Sequence, residues 1–224
     1  PGILQIVARC DWRKVVETMV ERAPKLLIAI DGPAGAGKSS VSRLLAEQLG
    51  YRYIDTGALY RAIGLLAIEA NVSPEDVAGL ARICETAKIA LTRNRIHIGG
   101  RDISDEIRRP EISDAASKVS THSEVRSALL GLQRRLGASG AAVIEGRDIG
   151  TVVFPNAEIK IFLDASIEER GHRRYVQLKE THGDNISLKK IIHDMAQRDK
   201  RDSERDTAPL RPAMDAVYMD STKL

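Results

Sequence analysis

Cysteine is scarce in this chain. Its 224 residues include two, Cys10 and Cys84, with no C-x-x-C pair, which excludes a disulfide scaffold and a thiolate metal site and fits a reducing cytosol. No apolar run approaches about 18 residues, so no segment is expected to span a membrane. Arg9 and Asp11 interrupt any apolar stretch after Ile3, which excludes a signal peptide. Charge of one sign is lacking too: 34 Lys plus Arg against 31 Asp plus Glu leaves +3. That is too little for a general nucleic-acid coat, so anion recognition has to be local. His97, His122, His172, His182 and His193 share no metal-ligand spacing and read as surface or packing residues.

What is present describes a globular chain. At 43% apolar and 29% charged residues, about 220 residues can bury roughly 70% of their unfolded surface in one core with room for a subdomain. The basic residues divide into 23 Arg and 11 Lys. Arginine's planar fork suits bidentate contact with phosphate or carboxylate, although a GC-rich genome gives the same excess with no function attached.

Hydrophobic periodicity predicts alternating strands and helices. Residues 1–24 read as an extension whose helix is capped by Asp11, stopped by Pro24 and apolar along Trp12, Val15, Val16, Met19 and Val20, a face expected to dock on the domain that follows. The chain opens at Pro1 without a Met, as a processed fragment would. Buried strands are expected at 26–30, 51–55, 142–145 and 158–163, with a last one at 216–220. Helices are expected at 38–49, with Val41, Leu44, Leu45 and Leu49 on one face, and at 58–70, 113–135, 166–180 and 187–204. Between 73 and 112 the rhythm breaks into short β-like runs joined by Arg93-Asn94 and Gly99-Gly100, an antiparallel meander. The sum is an α/β fold with a five-stranded parallel sheet and one inserted subdomain.

Gly32-Pro33-Ala34-Gly35-Ala36-Gly37-Lys38-Ser39 fits G-x-x-x-x-G-K-[ST] between a buried strand and an amphipathic helix. Such a loop turns backbone N–H groups onto nucleotide phosphates, its Lys reaches the β and γ oxygens, and its Ser can ligate Mg²⁺. No N-K-x-D follows to read guanine, and the strand ending at Leu163 is followed by Asp164-Ala165 rather than an acidic pair. Arginines recur instead at every later landmark, which suits transfer to a second anionic ligand better than hydrolysis. Asp55-Thr56-Gly57-Ala58-Leu59-Tyr60-Arg61 and Glu145-Gly146-Arg147-Asp148 both follow strands, at the rim where α/β folds bind ligands. Arg198, Asp202 and Arg205 share one helix face. Asp31, just before the loop, either helps hold Mg²⁺ through water or caps the turn.

Together, I-D-G-P-A-G-A-G-K-S, Y-I-D-T-G-A-L-Y-R, I-E-G-R-D-I-G-T-V-V-F-P, K-I-F-L-D-A-S-I-E-E-R and R-D-x-x-D-S-x-R resemble bacterial-type cytidylate kinases over residues 25–224. The resemblance implies a P-loop nucleoside monophosphate kinase: a three-layer sandwich with a monophosphate-binding insertion near 73–112 and a lid near 166–185. It implies transfer of phosphate from ATP to CMP or dCMP with Mg²⁺; a cytoplasmic monomer with no nucleic-acid or membrane partner is expected. Gly32 through Ser40 would hold ATP, with Ser39 on the Mg²⁺. Thr56, Arg126, Asp148 and Arg205 would surround the cytosine, Arg61 and Arg147 the acceptor phosphate, and Ser117, Arg198 and Asp202 the ribose. Arg170, Arg173 and Arg174 would close over the donor phosphates, and Lys38, Arg147 and Arg173 would carry the chemistry.

Two departures stand out. Glu145 replaces the Asp common before G-R-D, so its longer arm is expected to shift a contact with Arg147. The chain stops soon after its last strand, where relatives add a helix, so lid support is expected to be incomplete. Other readings of the motifs are a kinase for UMP, AMP or a non-nucleotide alcohol, and a non-catalytic nucleotide-dependent module binding RNA through helix 166–180. Against the last, that helix interleaves Glu168, Glu169 and Glu180 and offers a single aromatic, Tyr175.

Overall fold

The structure, a computed structural model, describes residues 25–92, 95–182 and 186–223, with side chains at 181 and 182 left aside. The N-terminal helix, the Arg93-Asn94 turn and residues 183–185 of the expected lid lie outside the described residues.

Five strands form one parallel sheet: β1 (Leu27–Asp31), β2 (Arg52–Asp55), β6 (Ala142–Gly146), β7 (Ile159–Asp164) and β8 (Val217–Asp220), in the order β2-β6-β1-β7-β8. All five residues of β1 and of β6 are buried, the signature of central strands covered on both faces. The register sets Ile30 opposite Glu145 and Asp31 opposite Gly146. The P-loop and the Gly146-Arg147-Asp148 turn therefore leave the sheet side by side, where the strand order switches direction. A second sheet, β3 (Ile89–Thr92), β4 (Arg95–Ile98) and β5 (Arg101–Asp102), is the antiparallel meander.

The helices are α1 (Lys38–Leu49), α2 (Gly57–Glu69), α3 (Val77–Thr86), α4 (Pro110–Val119), α5 (Ser123–Gly137), α6 (Ile167–His182) and α7 (Leu188–Glu204). One core gathers around α2, where Leu59 and Ile63 meet Leu80, Ile103, Ile112 and Val125. Gly64 lets α4 approach: a Cβ there would stand 3.0 Å from the backbone nitrogen of Ala116. Two further clusters line the opposite faces of the main sheet.

Three expectations shift. α1 buries Lys38, Ser42 and Ala46, whereas Val41, Leu44 and Leu49 of the expected apolar face are 40%, 60% and 45% exposed. The helix is phased by its loop, because Lys38 turns inward to donate to the Pro33 carbonyl. The helical stretch at 113–135 is two helices: the hydroxyls of Ser120 and Thr121 donate back to the carbonyls of Ser117 and Lys118 and end α4. α3 falls where no helix was expected; the Asp76 carboxylate accepts from the Gly79 N–H and caps it.

Candidate active site

The P-loop joins β1 to α1 and lines the rim of the site. Gly32 sits at φ +147°, and a Cβ there would meet the Leu163 carbonyl oxygen at 1.9 Å, so only glycine lets the loop leave β1 beside β7. Lys38 is buried, and its ammonium donates to the Pro33 carbonyl at 2.6 Å. Burial, with the nearby Arg147, lowers its pKa to about 7 despite the opposing Glu145. Ser39 and Ser40 are exposed on the outer rim.

Two cavities meet at this loop. One, of about 270 Å³, is lined by Ala34, Gly35, Lys38 and Ser39 and by every residue expected around the acceptor: Thr56, Arg61, Ser117, Arg126, Arg147, Asp148, Arg198, Asp202 and Arg205. The other, of about 850 Å³, is lined by Ala34, Gly35, Gly37, Lys38, Ser39, Ser40, Arg173 and Arg174 and by α7. Lys38, Ser39, Arg174 and Arg198 border both. Of the expected ATP-binding residues, Gly32, Pro33, Ala36 and Arg170 line neither.

At the deep end of the first cavity, Arg126 donates to the carboxylate of Asp148, both side chains almost fully buried. The Arg126 guanidinium also lies over the Tyr60 ring, 5.5 Å from its centroid. Arg205 brings Nη2 to 3.9 Å from the other Asp148 oxygen, and that nitrogen is buried with no hydrogen-bond partner. Thr56 donates to the Glu145 carbonyl at 2.7 Å. The wall thus offers fixed donors and an acceptor to a flat polar group.

Toward the loop the cavity becomes cationic. Arg147 Nε donates to Asp202 at 3.1 Å, and Arg61 Nη2 to Asp55 at 2.6 Å. Burial raises the Asp202 pKa, but Arg147, Arg198 and Arg205 outweigh it and hold the carboxyl below its usual range. Arg174 and Arg198 form no ion pair among the described residues, and Arg198 Nε is buried without a partner. Burial and then Arg147 bring Arg198 down to about 10. Unpaired buried guanidinium groups are expensive unless an anion arrives to meet them.

The expected lid arginines part company. Arg173 donates to Glu169 at 2.8 Å and to the Ser221 carbonyl at 2.5 Å, on the wall of the larger cavity. Arg170 is buried behind the loop, where it donates to the carbonyls of Ala165 (2.8 Å) and Ala34 (3.1 Å) and to Asp199 (2.6 Å). It braces the loop against α7 rather than facing the cavities.

Glu145 also differs from expectation. Its carboxylate accepts from the Tyr53 hydroxyl and interacts with Ser39, while Arg147 turns to Asp202. The longer arm therefore reaches across to β2 and leaves Arg147 untouched. Burial, then Asp55, raises its pKa. Asp31 accepts from the N–H groups of Ile149 (2.8 Å) and Gly150 (2.7 Å) in the π-helical turn Ile149–Val153, so both its oxygens serve that turn. Burial still raises its pKa to about 6. Ser39 and Glu145 form an oxygen-only pair at the loop, a donor set that suits a hard cation held mainly by phosphates and water.

Asp55, Tyr60 and Arg201 complete the walls and were not singled out as site residues by the sequence. Asp55 opens the same motif as Thr56 and Arg61, which was its one signal. Arg201 lies 3.4 Å from the Ser117 hydroxyl, a proximity only the packing of α7 on α4 creates.

The profile of cytidylate kinases matches residues 28–224. The chain belongs to the cytidylate kinase family. The cytidylate kinase of Geobacter sulfurreducens is 50% identical over 203 residues, 89% of this chain and 87% of that protein. That of Halalkalibacterium halodurans is 46% identical over 204 residues, covering 89% and 91%. Among solved structures, shikimate kinase from Acinetobacter baumannii in complex with shikimate shares 17% identity over 79% of this chain and 77% of that one, at TM-score 0.38. Membership of the cytidylate kinase family makes the protein a phosphotransferase and retires the non-catalytic reading. No helix among the described residues is long and apolar enough to cross a membrane.

Proposed function

We infer that this member of the cytidylate kinase family moves the terminal phosphoryl group of ATP to the phosphate of CMP or dCMP. The observation that carries the reading is the meeting of two cavities at Lys38, Arg174 and Arg198, one lined by the P-loop rim and one by the acceptor residues. ATP occupies the larger cavity and the monophosphate the smaller.

Cytosine presents an exocyclic amino donor beside a ring nitrogen and a carbonyl acceptor. Asp148 accepts from the amino group, and Arg126 and Arg205 donate to the acceptors. A uracil offers a carbonyl where cytosine has its amino group and would face Asp148 with no proton to share. Ser117, Arg198 and Asp202 line the same cavity and address the ribose, with Asp202 accepting from a hydroxyl.

The acceptor phosphate is already nucleophilic, so no general base is required. Arg61 and Arg147 orient it, exchanging part of their contact with Asp55 and Asp202 for its oxygens. Lys38 leaves the Pro33 carbonyl for the donor phosphates, and Arg173 and Arg174 approach from α6. A Mg²⁺ held by Ser39, with Glu145 reached through water, would neutralise charge on the transferring group. Asp31 is committed to the Ile149 and Gly150 N–H groups and acts by bracing. A well-placed arginine contributes roughly 10³ or more in rate.

A coupled ATP assay across CMP, dCMP, UMP, AMP and shikimate tests the reading. CMP and dCMP should dominate; turnover of AMP or shikimate above CMP would overturn it.

A further inference from the structure

Behind Ser39 and Glu145 stands a side chain that borders neither cavity. β2 and β6 pair in parallel, with Tyr53 opposite Val143 and Asp55 opposite Glu145. Alternate residues of a strand share a face, so Tyr53, Val143 and Glu145 point to the same side of the sheet. That is the side α1 covers: Tyr53 packs against the cluster of Ile28, Val143 and Ala46. From α1 the Arg43 guanidinium stands over the Tyr53 ring, 5.5 Å from its centroid. The ring is thus held from both sides, and its hydroxyl reaches diagonally along the sheet to donate to the Glu145 carboxylate. The same hydroxyl interacts with Ser39, which interacts with Glu145 in turn. β2, β6 and the first turn of α1 therefore converge on one cluster of three oxygen-bearing side chains.

Glu145 is 3% exposed and stands beside the like charge of Asp55. A carboxylate so placed needs donors. A phenol suits the task, because it stays protonated up to about pH 10 and its bond to an ionised acceptor is stronger than one between neutral groups. A glutamate arm turns about several bonds, and fixing one of its oxygens gives the other a defined direction. Glu145 lines the smaller cavity and Ser39 lines both, whereas Tyr53 lines neither, so the phenol can act only through its neighbours. On the reading of the P-loop cavity as the ATP site, we propose that Tyr53 is a positioning residue for Mg²⁺: its hydroxyl holds the Glu145 carboxylate, and with it the Ser39 hydroxyl, in the orientation that receives the cation accompanying the donor nucleotide. Groups one step behind a metal's ligands set the direction of those ligands and weigh heavily on metal affinity.

Tyr53→Phe keeps the ring, its packing and the Arg43 contact, and removes the hydroxyl. Calorimetric titration with ATP, in excess Mg²⁺ and again in EDTA with no monophosphate present, gives the factor by which the cation tightens binding. That factor should fall about 10-fold or more in Tyr53→Phe, while the affinity in EDTA stays close to that of the unsubstituted protein. In a Glu145→Gln background the same substitution should leave the factor unchanged, because the phenol works through the carboxylate. A lower Tm in Tyr53→Phe with an unchanged factor would show that the phenol merely satisfies a buried charge, and overturns the proposal. An equal loss of affinity with and without Mg²⁺ overturns it too. An unsubstituted protein that binds no ATP in either buffer is a separate failure: it removes the ATP reading of the cavity, and the role of Tyr53 with it.

Discussion

Arg126 and Asp148 form an ion pair whose side chains are 7% and 6% exposed, at the deep end of the smaller cavity. Both charges are almost fully buried, and each is compensated chiefly by the other, with Arg205 near Asp148 and the Tyr60 ring against Arg126 as lesser partners. Arg126→Met should cost about 3–5 kcal/mol of stability, because it strands Asp148 in the interior. Pairing it with Asp148→Leu should recover most of that loss while CMP binding stays abolished. Urea unfolding and calorimetric titration with CMP measure the two effects. A double variant as unstable as Arg126→Met would show that the pair is not the source of the cost.

Lys38 separates catalysis from folding in the opposite sense. Its ammonium is buried against a single carbonyl, with its pKa lowered to about 7. Lys38→Ala should reduce turnover by about 10²–10³ or more while leaving the unfolding midpoint equal or higher. Unchanged turnover in a folded variant would sink the assignment of the loop.

The same lysine links nucleotide binding to pH. With a pKa of about 7, it is mostly neutral near pH 8. Donor phosphates favour the ammonium and raise that pKa, so binding should take up part of a proton near pH 8. Below about pH 6 the ammonium is already formed and the uptake should vanish. Titration of ATP in buffers of different ionisation enthalpy measures this directly, and Lys38→Ala should abolish it.

Arg170 and Arg174 lie four residues apart on α6 and should fail differently. Arg170 ties Ala34, Ala165 and Asp199 together; Arg170→Ala should destabilise the fold by about 3 kcal/mol. Arg174 borders both cavities with no ion pair among the described residues. Arg174→Ala should depress kcat severalfold with little change in Tm. Stability and kinetics of the two variants side by side decide the matter.

Gly32→Ala places a methyl group 1.9 Å from the Leu163 carbonyl oxygen at a φ of +147°. The loop or β7 has to move, and a loss of at least about 2 kcal/mol is expected. Gly50→Ala, also at positive φ but with nothing within 4 Å, should cost less, and comparing the two melts separates crowding from backbone strain.

Much of the architecture was legible because short apolar runs, a P-loop and turn dipeptides are local signals. The phase of α1 was not, because Lys38 and Ser42 are polar residues on the buried face, which hydrophobic periodicity does not register. Nor was the break at Ser120-Thr121-His122: hydroxyl back-bonding that ends a helix looks like ordinary surface polarity in a one-dimensional pattern. The expected acceptor residues come from α2, α4, α5, α7 and the turns after β2, β6 and α7; strand-end placement grouped Thr56, Arg61, Arg147 and Asp148, whereas resemblance alone brought in Ser117 and Arg126. Arg170 shows the limit of grouping by motif, since three arginines within five residues face three different surroundings.

Asp31 has one oxygen on each of two successive N–H groups of the turn after Asp148. It thereby works as a gauge block between the strand that delivers the P-loop and the strand that delivers Arg147. The spacing from donor to acceptor is then held by backbone at both ends, and the long side chains need only reach. That spacing belongs to the sheet and its turns, so it does not depend on the rotamers of Lys38 or Arg147.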